Sequence, residues 1–126
     1  MPQTQVIFFQ ETGRDVPVRD WLNHLRQTDA AAFQKCVAAI SRLAELGHEL
    51  RRPLADILRD GIHELRIRCG RVNYRILYFF HGRHVAILAH MITKEDVVPP
   101  DEIDRAIRRR NAYIANPAKH TYLRKE

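Results

Sequence analysis

The chain is poor in several residues from which familiar sites are built. It has five glycines in 126 residues, too few for the glycine loop that cradles phosphates or for a dinucleotide fingerprint. No Ser-His-Asp constellation stands out. The two cysteines, Cys36 and Cys69, have no metal-ligand spacing and read as small buried apolar residues. No apolar run approaches the roughly 18 to 20 residues of a membrane helix, so no membrane partner is expected. The opening Met1-Pro2-Gln3-Thr4-Gln5 lacks a basic segment followed by an apolar one. No secretory signal is read there, and the cytoplasm is the expected location.

What is present is charge, unevenly placed. Residues 1 to 60 carry eight basic and eight acidic side chains, whereas residues 61 to 126 carry thirteen against seven and hold the whole net charge of +6. Such asymmetry favours a surface for a polyanion. Arg105, Arg108, Arg109 and Arg110 admit a plainer account. They fall in the last turns of an expected helix whose first turn holds Asp101, Glu102 and Asp104, which complements a helix dipole.

The length suits one domain, burying roughly two-thirds of its unfolded surface. Val6-Ile7-Phe8-Phe9 reads as an opening strand. Pro17 opens a first helix carrying Val18, Trp21, Leu22 and Leu25 on one face. A second helix starts near Thr28 or Asp29 as cap, with Phe33, Cys36, Val37, Ile40, Leu43 and Ala44 as its stripe, and Gly47 ends it. His48 to Asp60 reads as a loop with one helical turn. From Gly61 to Pro99 the pattern is a three-stranded meander over 62–69, 72–80 and 84–90, turning at Gly70-Arg71 and at His81-Gly82-Arg83. A final helix follows Pro99-Pro100, with Ile103, Ala106, Ile107 and Ile114 as its stripe, and Asn116-Pro117 ends it. The expected fold is α+β: a small antiparallel sheet, the opening strand plus the meander, packed on an N-terminal helix hairpin and a C-terminal helix. Residues 1–117 form the domain, and 118–126 a mobile polar tail.

On the strand at 62–69, Leu65, Ile67 and Cys69 alternate with Glu64, Arg66 and Arg68, so the charged set shares one face. Arg66, Arg68, Arg75 and Lys94 are the residues best suited to a phosphate. Guanidinium forks match phosphate oxygens and stabilise the charge that builds when a ribose 2'-hydroxyl attacks a phosphodiester. Arg52 and Arg71 are further phosphate-contact candidates. Equally, Arg66 could pair with Glu64 and Arg75 shield a sheet edge. Glu64 is either a base or the carboxylate that orients an arginine. His90 suits general acid or base work by its pKa range, and suits a packed strand position as well. His81, His84 and His90 lie near one hairpin, but no cysteine or carboxylate completes a tetrahedral set, so no metal is expected.

With this element order, the segments Asp60-Gly61-Ile62-His63-Glu64-Leu65-Arg66 and Tyr74-Arg75-Ile76-Leu77-Tyr78-Phe79-Phe80, and the run from His90 through Lys94 to Pro99, the chain resembles the RelE/ParE toxin superfamily over about Val6 to Tyr113. The phage-derived, HigB-like branch is the nearest in pattern. The resemblance implies a type II toxin, most often a metal-independent endoribonuclease that needs no cofactor and cuts messenger RNA on the ribosome, inhibiting translation. Its partner would be a helix-turn-helix antitoxin, held in a toxin–antitoxin hetero-oligomer. It also implies that Arg66, Arg68 and Lys94 act on the RNA, that Arg75 is the arginine of the next strand, and that His90 occupies a position often histidine. Two departures stand out. Met91-Ile92-Thr93-Lys94-Glu95-Asp96 keeps one lysine where the branch commonly has an aromatic residue and paired lysines, and Val98-Pro99-Pro100 occupies the place of a catalytic tyrosine. Proton transfer is therefore unassigned. Two alternatives stay open: a non-nucleolytic, ParE-like inhibitor of a protein target such as DNA gyrase, and a catalytically weak RNA- or antitoxin-binding member.

Overall fold

Pro17 and the cap at Asp29 start two helices that bracket the first third of the chain. α1 spans Pro17–Thr28 and buries Val18, Leu22 and Leu25. α2 spans Ala30–Leu46, and the Asp29 carboxylate accepts from the Ala32 amide at 3.1 Å, satisfying one of the orphan donors of the first turn. The computed structural model describes residues 3–93 and 97–123. Lys94, one of the expected catalytic residues, lies outside the described residues.

Five strands form the sheet: β1 (Gln5–Phe8), β2 (Ala55–Arg59), β3 (Ile62–Cys69), β4 (Val72–Phe80) and β5 (Val85–Thr93), in the order β1-β5-β4-β3-β2. The meander β3-β4-β5 pairs antiparallel as expected. β1 pairs parallel to β5, because α1 and α2 carry the chain back across one face before the meander starts. The sheet is therefore mixed. β2 corrects the reading of 48–60 as a loop with a helical turn: Ala55 to Arg59 pair with β3, and the helical turn is a short 3-10 segment at Gly47–Glu49. As an edge strand β2 leaves Ile57 59% exposed, which removes the alternation that would have marked it.

α1 and α2 cover one face of the sheet, meeting Leu65, Ile67, Tyr74, Ile76, Tyr78, Ala86 and Leu88. α3 (Pro100–Ala115) covers the other, meeting Ile62, Leu77, Phe79, Ile87 and Ala89 through Ile103, Ala106 and Tyr113. Two side chains assigned to apolar stripes point outward instead, Val37 at 38% and Ile114 at 56% exposed. α2 buries Ala32, Cys36, Ala39 and Leu43, a stripe shifted toward its small residues so that the helix can lie close to the sheet. The C-terminal segment also differs from a mobile tail. A short helix α4 (Pro117–His120) turns back, His120 stacks on Phe9 with ring centroids 5.1 Å apart, and Thr121 bridges to Phe9. Among the described residues, no helix is long and apolar enough to cross a membrane.

Gly47 closes α2 at φ +54°, and a Cβ there would run into the Thr4 hydroxyl. Gly47→Ala should lower unfolding free energy by at least about 1 to 2 kcal/mol, the cost of an L side chain at positive φ, measured by urea denaturation.

Candidate active site

The charged face of β3 is built by the pleat. Ile62, Glu64, Arg66 and Arg68 alternate with core residues and lie on the α3 side of the sheet, where Asn73, Arg75 and Leu77 of β4 join them. Arg66 is in direct register with Arg75, and like charges directly opposite each other repel. Glu64, one step along β3, resolves this by taking Arg75. Its Oε1 accepts from the Arg75 guanidinium at 2.6 Å, with side chains only 6% and 9% exposed. Glu64 thus orients an arginine, and it is Arg75, not Arg66, that it holds. Arg75 lies in an inner strand rather than at a sheet edge. On β2, Asp56 faces Glu64 in register and is claimed by Arg52 through two bonds of 2.8 and 2.6 Å. The Arg52 side of this pair lowers the Asp56 carboxyl below its ordinary range.

Arg66 enters no ion pair among the described residues. Its amide is pinned to the Leu54 carbonyl at 2.7 Å, which fixes the backbone from which the half-buried guanidinium projects. Arg68 is exposed, and its Nε donates to the Gly70 carbonyl at 3.2 Å. Two adjoining hollows of about 360 Å³ each meet along Arg66 and Arg75. One is rimmed by Arg68 and floored by Pro53, Leu54, Ile67 and Tyr74. The other reaches Arg52, Asp56 and Glu64, with Val98 and Ile103 of the α3 side as its wall. Five arginines, Arg59 among them, therefore share the cleft with two carboxylates, leaving it positive and open. Asn73, Tyr74 and Pro53 were not singled out from the sequence. Only the nearness of Asn73-Tyr74 to Arg75 hinted at them.

The remaining candidates lie elsewhere. Arg71 sits exposed in the β3–β4 turn and lines neither hollow. His90 also lines neither. It is no strand end, since β5 runs on to Thr93. Between Leu77 and Tyr78 the register slips by one residue, with Leu77 facing His90 and Tyr78 facing Leu88, and this bulge turns His90 toward α3. There Nδ1 accepts from Arg109 at 3.0 Å and Nε2 lies 3.0 Å from Glu102 Oε1. An arginine can only donate, so Nδ1 is the acceptor and Nε2–H donates to Glu102, which defines a neutral imidazole. Arg109 is tied further to the Ala89 carbonyl at 2.7 Å and to Glu11 at 2.9 Å. Burial pushes the His90 pKa below its ordinary value of 6.5, Arg109 pushing the same way against the Glu102 contact. His90 is thus a clamp between β5 and α3. Among the described residues, no three His, Cys, Asp or Glu side chains group closely enough to hold a metal ion.

Two outcomes follow from these buried charges. Arg75→Met should cost about 3 to 5 kcal/mol by stranding the Glu64 carboxylate, read from urea unfolding. For His90 the folded pKa is depressed, so its contribution to stability is complete above pH 6.5 and is lost as pH falls through the lower folded value. His63, lowered chiefly by burial, adds in the same direction. Unfolding free energy should be flat just above pH 6.5 and decline below it, by no more than about 1.4 kcal/mol per pH unit for each histidine. His90→Gln should be less stable at neutral pH and show a shallower decline.

Residues 20–111 match the family model described as Phage derived protein Gp49-like (DUF891). No curated protein matches the chain. The match runs from α1 through most of α3 and contains every residue of the arginine cleft. The chain belongs to the phage-derived Gp49-like family, a toxin-like family of RelE/ParE type.

Proposed function

We propose that this protein is the toxin of a type II toxin–antitoxin pair: a cytoplasmic, metal-independent endoribonuclease of HigB-like kind that cuts ribosome-bound messenger RNA and is silenced by a helix-turn-helix antitoxin. The observation that carries the reading is the cleft in which, among the described residues, Arg66 and Arg68 stand without carboxylate partners above the fixed Arg75–Glu64 pair. A cleft of this kind suits a group that gains negative charge during reaction. In the proposed step the ribose 2'-oxygen attacks the adjacent phosphorus, losing its proton to water, and the P–O5' bond breaks as O5' takes a proton from water. The products are a 2',3'-cyclic phosphate and a 5'-hydroxyl. Arg66 and Arg68 bind the non-bridging oxygens, whose charge peaks in the pentavalent transition state. Arg75 adds a fixed positive field, with Glu64 as its orienting carboxylate. Arg52 at the rim can exchange Asp56 for a phosphate at small cost, because exposed ion pairs are weak. Lys94 supplies a further cation after Thr93. His90, committed on both nitrogens, stays outside the chemistry.

Induced expression with mapping of transcript ends tests this. The wild type should arrest growth and create new 5' ends, and Arg66→Ala or Arg68→Ala should abolish both. Each lost donor is worth on the order of 3 kcal/mol, about a hundredfold in cleavage, while melting temperature moves by no more than a few degrees. Growth arrest with intact transcripts and altered DNA supercoiling would replace the nuclease with a non-nucleolytic inhibitor of a target such as gyrase. A large fall in melting temperature would make the two arginines structural.

A further inference from the structure

α3 carries a second arginine cluster that neither the cleft nor the helix dipole explains. The helix runs to Ala115 and has no basic residue in its last turn, so Arg105, Arg108 and Arg109 sit mid-helix, beyond the reach of a dipole effect confined to the terminal turn. Two of the arginines near it have structural work. Arg110 donates to the Asp60 carbonyl, and Arg109 holds Glu11, Ala89 and His90. The other two do not. Asp104, the acid four residues before Arg108, is taken by Arg59 at 2.6 Å. Arg105 and Arg108 are exposed, and among the described residues neither forms an ion pair.

These side chains surround a hollow of about 330 Å³ lined by Glu11, Arg105, Arg108, Arg109 and Ala112. Among the described residues its one acid, Glu11, is already committed to Arg109 at 2.9 Å. Ala112 keeps the floor low, so an incoming group can lie against the helix. From this geometry we infer a second phosphate site on the outer flank of α3, in which Arg105 and Arg108 grip one backbone phosphate of a single-stranded RNA whose scissile group lies in the cleft. Arg109 braces the site from below. Its guanidinium is disfavoured chiefly by burial, and Arg105 and Arg108 press in the same direction, a repulsion that a bound phosphate would relieve. The cleft borders Ile103, on the other flank and nearer the start of α3. The five residues from Ile103 to Arg108 rise about 7 Å along an axis about 10 Å across, so the two sites cannot be filled by adjacent oxygens of one phosphate. The second site would set the path of the strand, and the choice of RNA as phosphate source rests on the nuclease reading.

The test measures binding of a 2'-O-methyl oligouridylate, which has no 2'-hydroxyl to react, across a range of salt concentrations, and cleavage of a natural trinucleotide, too short to leave the cleft, presented on ribosomes. Arg105→Gln/Arg108→Gln should weaken oligonucleotide binding and reduce the slope of log affinity against log salt by about 0.7, the value for one lost single-strand phosphate contact. Trinucleotide cleavage and melting temperature should not change. An unchanged slope overturns the second site, as does wild-type protein that binds no RNA. So does a variant that binds RNA normally but loses affinity for its antitoxin, which would assign the patch to a protein partner. The two readings fail separately. Wild type that cleaves with an arginine-independent slope loses only the second site. Wild type that binds through Arg105 and Arg108 without cleaving loses only the nuclease.

Discussion

The buried pair between Glu64 and Arg75 is the constraint on which the functional face depends. A carboxylate and a guanidinium this far from water are each costly alone, and as a pair they roughly offset that cost. Their contribution is therefore less to stability than to uniqueness. If β3 slipped by one residue against β4, Glu64 or Arg75 would face the packed layer under α1 and α2, with Leu65 and Ile67 turned outward. Period-two alternation makes every slip a full inversion, and here the inversion would also strand a charge. The register that satisfies this pair is the register that sets Arg66 opposite Arg75 and sends Arg68 to the rim.

Once Glu64 is spent on Arg75, the remaining charges sort themselves by reach. Arg52 finds Asp56, Arg59 finds Asp104, and Arg109 finds Glu11. Arg66, Arg68, Arg105 and Arg108 find no carboxylate among the described residues. Part of the positive charge that the sequence locates only by halves thus gathers in two places beside α3, separated by the helix. Glu11, Asp56, Glu64 and Asp104 are the means of this sorting, because each takes one particular arginine.

Much of the fold was legible because it follows local rules. The alternation over 62–69, the Asp29 cap and the prolines at the starts of α1 and α3 each act within a few residues, and so did the sharing of one face by Glu64, Arg66 and Arg68. What could not be read depends on partners distant in sequence. β2 is a strand because β3 offers it hydrogen bonds, not because its side chains alternate. The parallel course of β1 reflects where two helices return the chain. The docked C-terminal segment depends on Phe9 offering a ring to His120 across more than a hundred residues. Within the site, the sequence showed which arginines were candidates. Which acid takes which arginine is a matter of three-dimensional reach.

His90 shows the same limit in chemical terms. Alternation along β5 would have turned it toward the α1 and α2 layer with Leu88. The bulge instead leaves Ala89 and His90 facing α3 in succession, and a bulge belongs to two paired strands rather than to one segment's pattern. Turned that way, the imidazole meets Arg109 on one nitrogen and Glu102 on the other, and burial keeps it neutral. Its hydrogen-bonding capacity is used to fasten α3 to the sheet, and α3 in turn holds Ile103 as a wall of the arginine cleft. His90, which the sequence leaves open between proton transfer and a packed strand position, therefore takes the packed one and supports the site from behind. In the proposed reaction the rate enhancement then rests on fixed positive charge at Arg66 and Arg68, and proton exchange falls to solvent at the open mouth of the cleft.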